Sequence, residues 1–243
     1  MTFNYIRMIS LFSILIILGG CMYPKDELSK NKTPNVDQLE MVQNAVDAYV
    51  KKTDGLVPIK TKDLDTPIYR KYLVDFSTLK ESHLLTETPG NAFENRGIYQ
   101  YTIVTPEDNP RVKIFDLRMT DTIRSINVKM HTYQSQHTYP PFGKRIAKDV
   151  YTLNHKKLGL SKEPVVKSPY SGENLPIVID PDGTLYIDYR IDLQKALDEF
   201  DNVYENGDDI RNILPDNTPF VPAYSLPYTV EDGEVIFDSD LEQ

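Results

Sequence analysis

Across 243 residues the chain has one cysteine, no tryptophan and only 11 glycines. A single cysteine excludes an intramolecular disulfide framework and zinc sites built from several thiolates. No glycine-rich phosphate loop and no G-x-S-x-G nucleophile elbow occurs in the sequence. The four histidines, His83, His131, His137 and His155, show no i, i+4 pairing and no HExxH context, and read as exposed loop residues. Positive charge is also short. There are 27 Lys and Arg against 36 Asp and Glu, a formal charge of −9. Removal of residues 1–20 would take away only Arg7, leaving 26 basic against 36 acidic residues and a charge of −10. That balance argues against a nucleic-acid partner, whose phosphates need basic neutralisation. It argues equally against electrostatic adhesion to an anionic membrane, so membrane contact must be covalent or hydrophobic. Nothing in the sequence calls for a cofactor.

What is present begins at the amino terminus. Arg7 and the α-amino group precede an apolar run from Met8 to Leu18, broken only by Ser10 and Ser13. Eleven helical residues reach about 16 Å, short of the roughly 30 Å hydrocarbon core. Gly19 and Gly20 follow, giving the positive, apolar, small order of a signal peptide over residues 1–20. Leu18-Gly19-Gly20-Cys21 resembles a bacterial lipobox. That resemblance implies cleavage after Gly20 and a diacylglyceryl, palmitate-bearing Cys21 as the new amino terminus. Two or three acyl chains, at about 0.8 kcal/mol per buried methylene, make a stable anchor. Residues 21–34 are Lys-, Asn-, Ser- and Pro-rich and read as a flexible tether.

The remainder reads as an α+β protein built from two tandem helix-plus-antiparallel-hairpin units, 35–118 and 119–190. A C-terminal part, 191–243, adds a short helix, a Pro-rich segment and a hairpin. Asn35, with Gln38 three residues on, is a capping-box pattern. Leu39, Val42, Val46, Tyr49 and Val50 then fall at helical spacing. After "LVP" and the short strand expected in "YLVDFSTL" comes a hairpin, "GIYQYTIV" with "VKIFDLR". The order recurs as "TDTIRSINVKMHTY", "YPP", "VYTLNHKKLGL" and a hairpin ending in "LYIDYR". Residues 125–133 alternate well enough to be helix or strand. Thr120 and Asp192 are expected to cap the helices after the two hairpins. "YTVEDGEVIF" is a hairpin about Asp232-Gly233.

Candidate chemistry is sparse. Asp180, Asp182 and Asp188 in "DPDGTLYID" lack the glutamate that an EF-hand needs at position 12, where Ile191 stands, so a turn explains them and no metal is expected. The pairs Asp116/Arg118 and Asp188/Arg190 stand out. Placed i and i+2 on a strand they share a face. They either pin each strand end to the following helix or pair with a ligand. Tyr99, Tyr101, Tyr186, Tyr189, Phe220, Tyr224 and Tyr228 are either core residues or glycan or peptide contacts. No catalytic residue emerges.

The lipobox with "CMYPKDELSKNKTP", then "VQNAVDAYVKKTDGLVPIKTKDLDTPIYRKY", "PGNAFENRGIYQY" and "SPYSGENLP", resembles the uncharacterised YphF-like lipoproteins of bacilli. The resemblance implies a Gram-positive envelope and an anchor on the outer face of the cytoplasmic membrane, and supplies no activity. A looser local likeness, a helix followed by "LVP" and the "GNAFENRGIYQY" hairpin, resembles the soluble part of pilins, a helix on a small sheet. The function expected is a non-catalytic binding or scaffold protein with an envelope-protein or cell-wall partner. The alternative is a solute-binding lipoprotein of a transporter, although such proteins are normally two doubly wound lobes.

Overall fold

The computed structural model describes residues 36–200 and 204–238. The expected signal peptide, Cys21, the tether and the Asn35 cap lie outside them. Helix α1 (Val36–Lys52) carries an acidic residue in its first turn and lysines in its last, as the helix dipole favours. Its Val42, Ala45 and Val46 are buried against the hairpin of β1 (Tyr99–Val104) and β2 (Arg111–Asp116). The hairpin runs in unbroken antiparallel register from Tyr99↔Asp116 to Val104↔Arg111. Tyr99, Tyr101, Ile103, Val112 and Ile114 share the face under α1. Val104 and Phe115 face the other way, into a smaller cluster with Tyr69, Leu73, Val221 and Ala223. Two short helices, α2 (Ile68–Lys71) and α3 (Phe76–Glu81), border this layer. The stretch around Tyr72 to Leu79, expected as a strand, makes only isolated bridges at Leu73 and Val74. Asp75 then accepts from the Ser77 and Thr78 N–H groups and starts α3. An Asp ahead of Ser and Thr is an N-cap before it is a strand residue.

Helix α4 (Leu117–Gln134) follows β2 directly, so residues 125–133 are helical. Ile126 and Met130 are buried while Val128 is 64 % exposed, a 3.6-residue rhythm that overrides the apparent alternation. The larger sheet holds β3 (Phe142–Ala147), β4 (Val150–Leu153), β5 (Val165–Lys167), β6 (Asn174–Ile179) and β7 (Leu185–Ile187), with β6 pairing antiparallel to β4, β5 and β7. Helix α5 (Arg190–Glu199), α6 (Ile213–Asn217) and the hairpin of β8 (Tyr228–Glu231) and β9 (Glu234–Phe237) complete the second core. Asp232 and Gly233 both have positive φ, 50° and 84°, the I′ turn that "DG" favours.

The two helix-to-hairpin segments repeat the same local hydrogen bonds. Asp75 N–H donates to Pro58 O and Asn154 N–H to Pro141 O, each at 2.8 Å. Asp75 caps α3, and Asn154 accepts from Lys157 N–H to cap a single helical turn. The Pro-rich segment after α6 joins the cores. Phe220 enters the first, Val221 and Ala223 the small cluster, and Leu226 packs with Val150, Val178 and Tyr186. Ile114 of β2 donates to Pro219 O at 2.9 Å and accepts from Val221 N–H at 3.0 Å, a parallel bridge.

Candidate ligand-binding cleft

The Asp-x-Arg pairs are helix starts. Asp116 is the last residue of β2 and the N-cap of α4. Its carboxylate accepts from the Arg118 N–H at 2.9 Å and from Arg118 Nε and Nη2, a fork that closes on itself. Asp188 holds Arg190 in the same way, N–H at 3.1 Å and Nη2 at 2.7 Å. Arg118 and Arg190 therefore lie in the first turn of α4 and α5, not on the strands, and the expectation of a shared strand face is corrected. Thr120 and Asp192 are likewise not caps. They sit inside those first turns: Asp116 holds the capping position of α4, and at α5 the N-cap is Tyr189, with Asp188 one residue before it accepting from the Arg190 N–H. A third pair of the same kind, Asp209/Arg211, escaped the sequence reading although "DIR" stands beside "DLR" and "DYR". Its N–H bond is 3.0 Å and its Nη2 bond 2.6 Å. Exposure divides the three. Asp116 and Asp188 are buried, with Arg118 exposed and Arg190 half-buried, whereas the Arg211 side chain is 6 % exposed. Hydrogen bonds donated to the Asp116 carboxylate hold the Arg118 guanidinium more strongly protonated than usual.

Arg118 does more than cap. It lines a cleft of about 600 Å³ between the 62–73 segment, the turn before β1, the first turns of α4 and the Pro-rich segment. The size falls in the range of small-molecule sites. The cleft carries Lys62, Arg70, Arg118 and Arg124 against Asp63 and Asp121. Its apolar wall includes Leu73, Ile98, Phe115 and Leu117, and Phe93 at the rim is 59 % exposed. Tyr224 forms one side, with the Arg70 guanidinium 4.0 Å over its ring. Tyr224 holds a φ of 62°, uncommon for a bulky residue, while its carbonyl accepts from Ile187 N–H at 2.9 Å. Arg70 is set from behind by its neighbour. Tyr69 is buried, donates to Asn212 Oδ1 at 3.1 Å and lies beneath the Arg211 guanidinium of the third clamp. Burial pushes the Tyr69 phenol well up, so it stays a neutral donor.

Two buried polar atoms of this cleft, Arg70 Nε and Thr120 Oγ1, have no hydrogen-bond partner within the protein. Gly97 shapes its edge. A Cβ there would stand 2.0 Å from the Asn91 carbonyl, and Asn91 in turn accepts from the Tyr101 hydroxyl at 2.7 Å. "GNAFENRGIYQY" thus encodes a tight loop under the cleft.

The other candidates resolve into structure. Tyr99, Tyr101, Tyr186, Tyr189 and Tyr228 are buried, and Phe220 is a core residue; of the aromatic set only Tyr224 reaches the cleft. Asp180 accepts from Thr184 N–H at 2.8 Å and from the Tyr186 hydroxyl at 3.1 Å, closing a turn. Arg190 lies over Phe237 at 4.5 Å beside a shallower hollow lined by Gln194 and Lys195. Sequence reasoning missed Lys62, Arg70, Phe93 and Thr120. Their one readable trace is basic residues recurring through "KTKDLDTPIYRK" just before an apolar stretch.

Fold and cleft together define an α+β protein with a cation-rimmed cleft where its cores meet. Residues 35–116 match the family model of the YphF family N-terminal domain. No curated protein and no solved structure matches it significantly. The matched segment holds Lys62, Arg70 and Phe93, while Arg118, Thr120 and Tyr224 are supplied from beyond it.

Proposed function

We propose that this chain is a lipid-anchored extracytoplasmic lipoprotein on the outer face of the cytoplasmic membrane, and that it binds another envelope component without catalysis. The observation that carries the binding reading is the pair of buried polar atoms, Arg70 Nε and Thr120 Oγ1, left without protein partners on two residues that line the cleft. A buried donor without a partner costs about 1–3 kcal/mol, a cost that a bound acceptor removes. The anchor rests on Leu18-Gly19-Gly20-Cys21 after a short apolar run; among the described residues no helix is long and apolar enough to cross a membrane. A photoreactive phenylalanine at position 93, in cells, tests the reading. A covalent adduct with an envelope component is expected, and it should vanish when Arg70→Gln is added. Absence of any adduct overturns the proposal. For the anchor, Cys21→Ala is expected to abolish lipid labelling and leave the precursor uncleaved after Gly20; normal maturation of that variant refutes it. The small-molecule dimensions of the cleft favour one second reading, a solute-binding lipoprotein serving a transporter, in which the adduct would be a metabolite-sized species.

A further inference from the structure

Building on that binding reading, we infer that the cleft takes an oxyanion, a carboxylate or phosphate, carried on an apolar body. Four cationic side chains line it against two carboxylates; with Asp121 pairing Arg124 at 3.4 Å and Asp116 holding Arg118, Lys62 and Arg70 carry the surplus, on a chain whose net charge is −9. Positive charge is therefore concentrated here against the trend of the whole molecule, and a local field of that sign selects anions. The charges are not all spent within the protein. Lys62 has no ion-pair partner among the described residues, and Arg118 leaves Nη1 unbonded while Asp116 takes Nε and Nη2. Arg70 rests one face on Tyr224 and presents Nε, buried and without a protein acceptor. Thr120 adds a hydroxyl in the same condition from the first turns of α4, where the helix dipole also favours negative charge.

An oxyanion offers acceptors, the complement of Arg70 Nε and of the Thr120 hydroxyl proton, on two residues that line the same cleft. A cation could not satisfy Arg70 Nε, which only donates. The apolar part of the ligand follows from the wall. Leu73, Phe115 and Leu117 floor the cleft, and Phe93 stands over half exposed at its mouth, a position that an apolar body would cover. Because Asp116 already neutralises Arg118, that clamp contributes orientation, and Arg70 and Lys62 contribute the charge that a ligand feels.

The test is calorimetric titration of the mature lipidated protein in non-ionic detergent, with empty micelles as the blank. Benzoate and phenyl phosphate supply charge and ring together. Benzamide is the neutral match of benzoate, and inorganic phosphate is the anion without the ring. Both anionic aromatic probes are expected to bind about tenfold tighter than benzamide, and phenyl phosphate about tenfold tighter than inorganic phosphate. Arg70→Gln should weaken phenyl phosphate by about tenfold, and Phe93→Ala should narrow its advantage over inorganic phosphate. Lys144→Ala, on the exposed strand β3, should change nothing. If Arg70→Gln fails to fold, the exposed Lys62→Ala reports on the same charge. Equal affinity for benzoate and benzamide, or an unchanged affinity in the Lys62 and Arg70 variants, overturns the inference. A photoadduct at position 93 with no anion preference refutes the ligand class and leaves the binding reading standing. Absence of both refutes the two together.

Discussion

At the scale of single residues, the three Asp-x-Arg clamps share one hydrogen-bond pattern and differ in which partner is buried. Asp116 is buried and Arg118 mostly exposed, so Asp116→Ala removes an N-cap and leaves its arginine able to reach water. Its expected cost is that of a lost cap, about 1 kcal/mol. Asp209→Ala does something different. It strands the Arg211 guanidinium, whose side chain is 6 % exposed beside Tyr69. Loss of one partner from a buried pair costs about 3–5 kcal/mol, and the partial exposure of Asp209 places the expectation at the low end, about 3 kcal/mol. Denaturant melts of the two variants should therefore rank Asp209→Ala as the more damaging; equal midpoints would remove the distinction. The sequence made two of these pairs visible because they end recognisable hairpins. The third was hidden because no strand precedes it and "DDIR" sits in a polar stretch. What no sequence pattern could supply was which arginine faces solvent, since that depends on the second core closing over Arg211.

Among the elements, α5 is held by a buried carboxylate rather than capped by one. Asp192 is fully buried and accepts from the Ser168 hydroxyl at 2.6 Å and from the Ser171 hydroxyl. Ser168 Oγ itself accepts from the N–H groups of Tyr170 and Ser171, both at 3.0 Å, so "SPYS" is folded around this carboxylate. Burial raises its pKa above the ordinary value, outweighing the two hydroxyl bonds that lower it. The folded state then binds the Asp192 proton at higher pH than the unfolded chain does. The linked stability rises as pH falls through the folded pKa towards about 3.8–3.9, and is absent at neutral pH. Asp192→Ala leaves the buried Ser168 hydroxyl and the half-buried Ser171 hydroxyl without an acceptor, costing about 2 kcal/mol at neutral pH. Thermal melts of wild type and variant should show that gap widening on acidification from pH 7.5 to 4.5; a gap that shrinks would contradict the raised pKa. Elements with an apolar rhythm, α1, β1, β2 and the β8–β9 hairpin, were legible in the sequence. Strand β3 was not, because its central residues are exposed and carry no alternation. Helices α3 and α6 were also missed, the first because "YLVDF" reads as a strand until Asp75 is seen as a cap, the second because Pro215 sits in its first turns.

On the scale of the whole molecule, the matched family domain ends at Asp116, yet the core it contributes is not complete there. Phe220, about a hundred residues downstream, is 9 % exposed in the first core and approaches Tyr99 at 6.1 Å between ring centroids. The segment carrying it pairs with Ile114 on both sides of the peptide, and Lys113 Nζ donates to Thr218 O at 2.9 Å. The same segment fixes Tyr224 through Ile187 of the second sheet and so positions the ring on which Arg70 lies. Cleft and cores are therefore coupled through one irregular segment, which a linear reading of two units followed by a C-terminal part could not reveal. Phe220→Ala removes a buried aromatic ring from the first core, and such truncations cost about 3–5 kcal/mol. Because the loss falls on the first core, hydrogen exchange should accelerate first at the Ile114 and Val112 amides of β2, while β6 and β7 keep their protection longer. Uniform acceleration across both sheets would instead mean that the cores unfold as one cooperative body. The same coupling predicts that a fragment of residues 35–116 alone loses protection in β2 relative to the full chain, since it lacks both the Phe220 side chain and the carbonyl acceptor of Pro219.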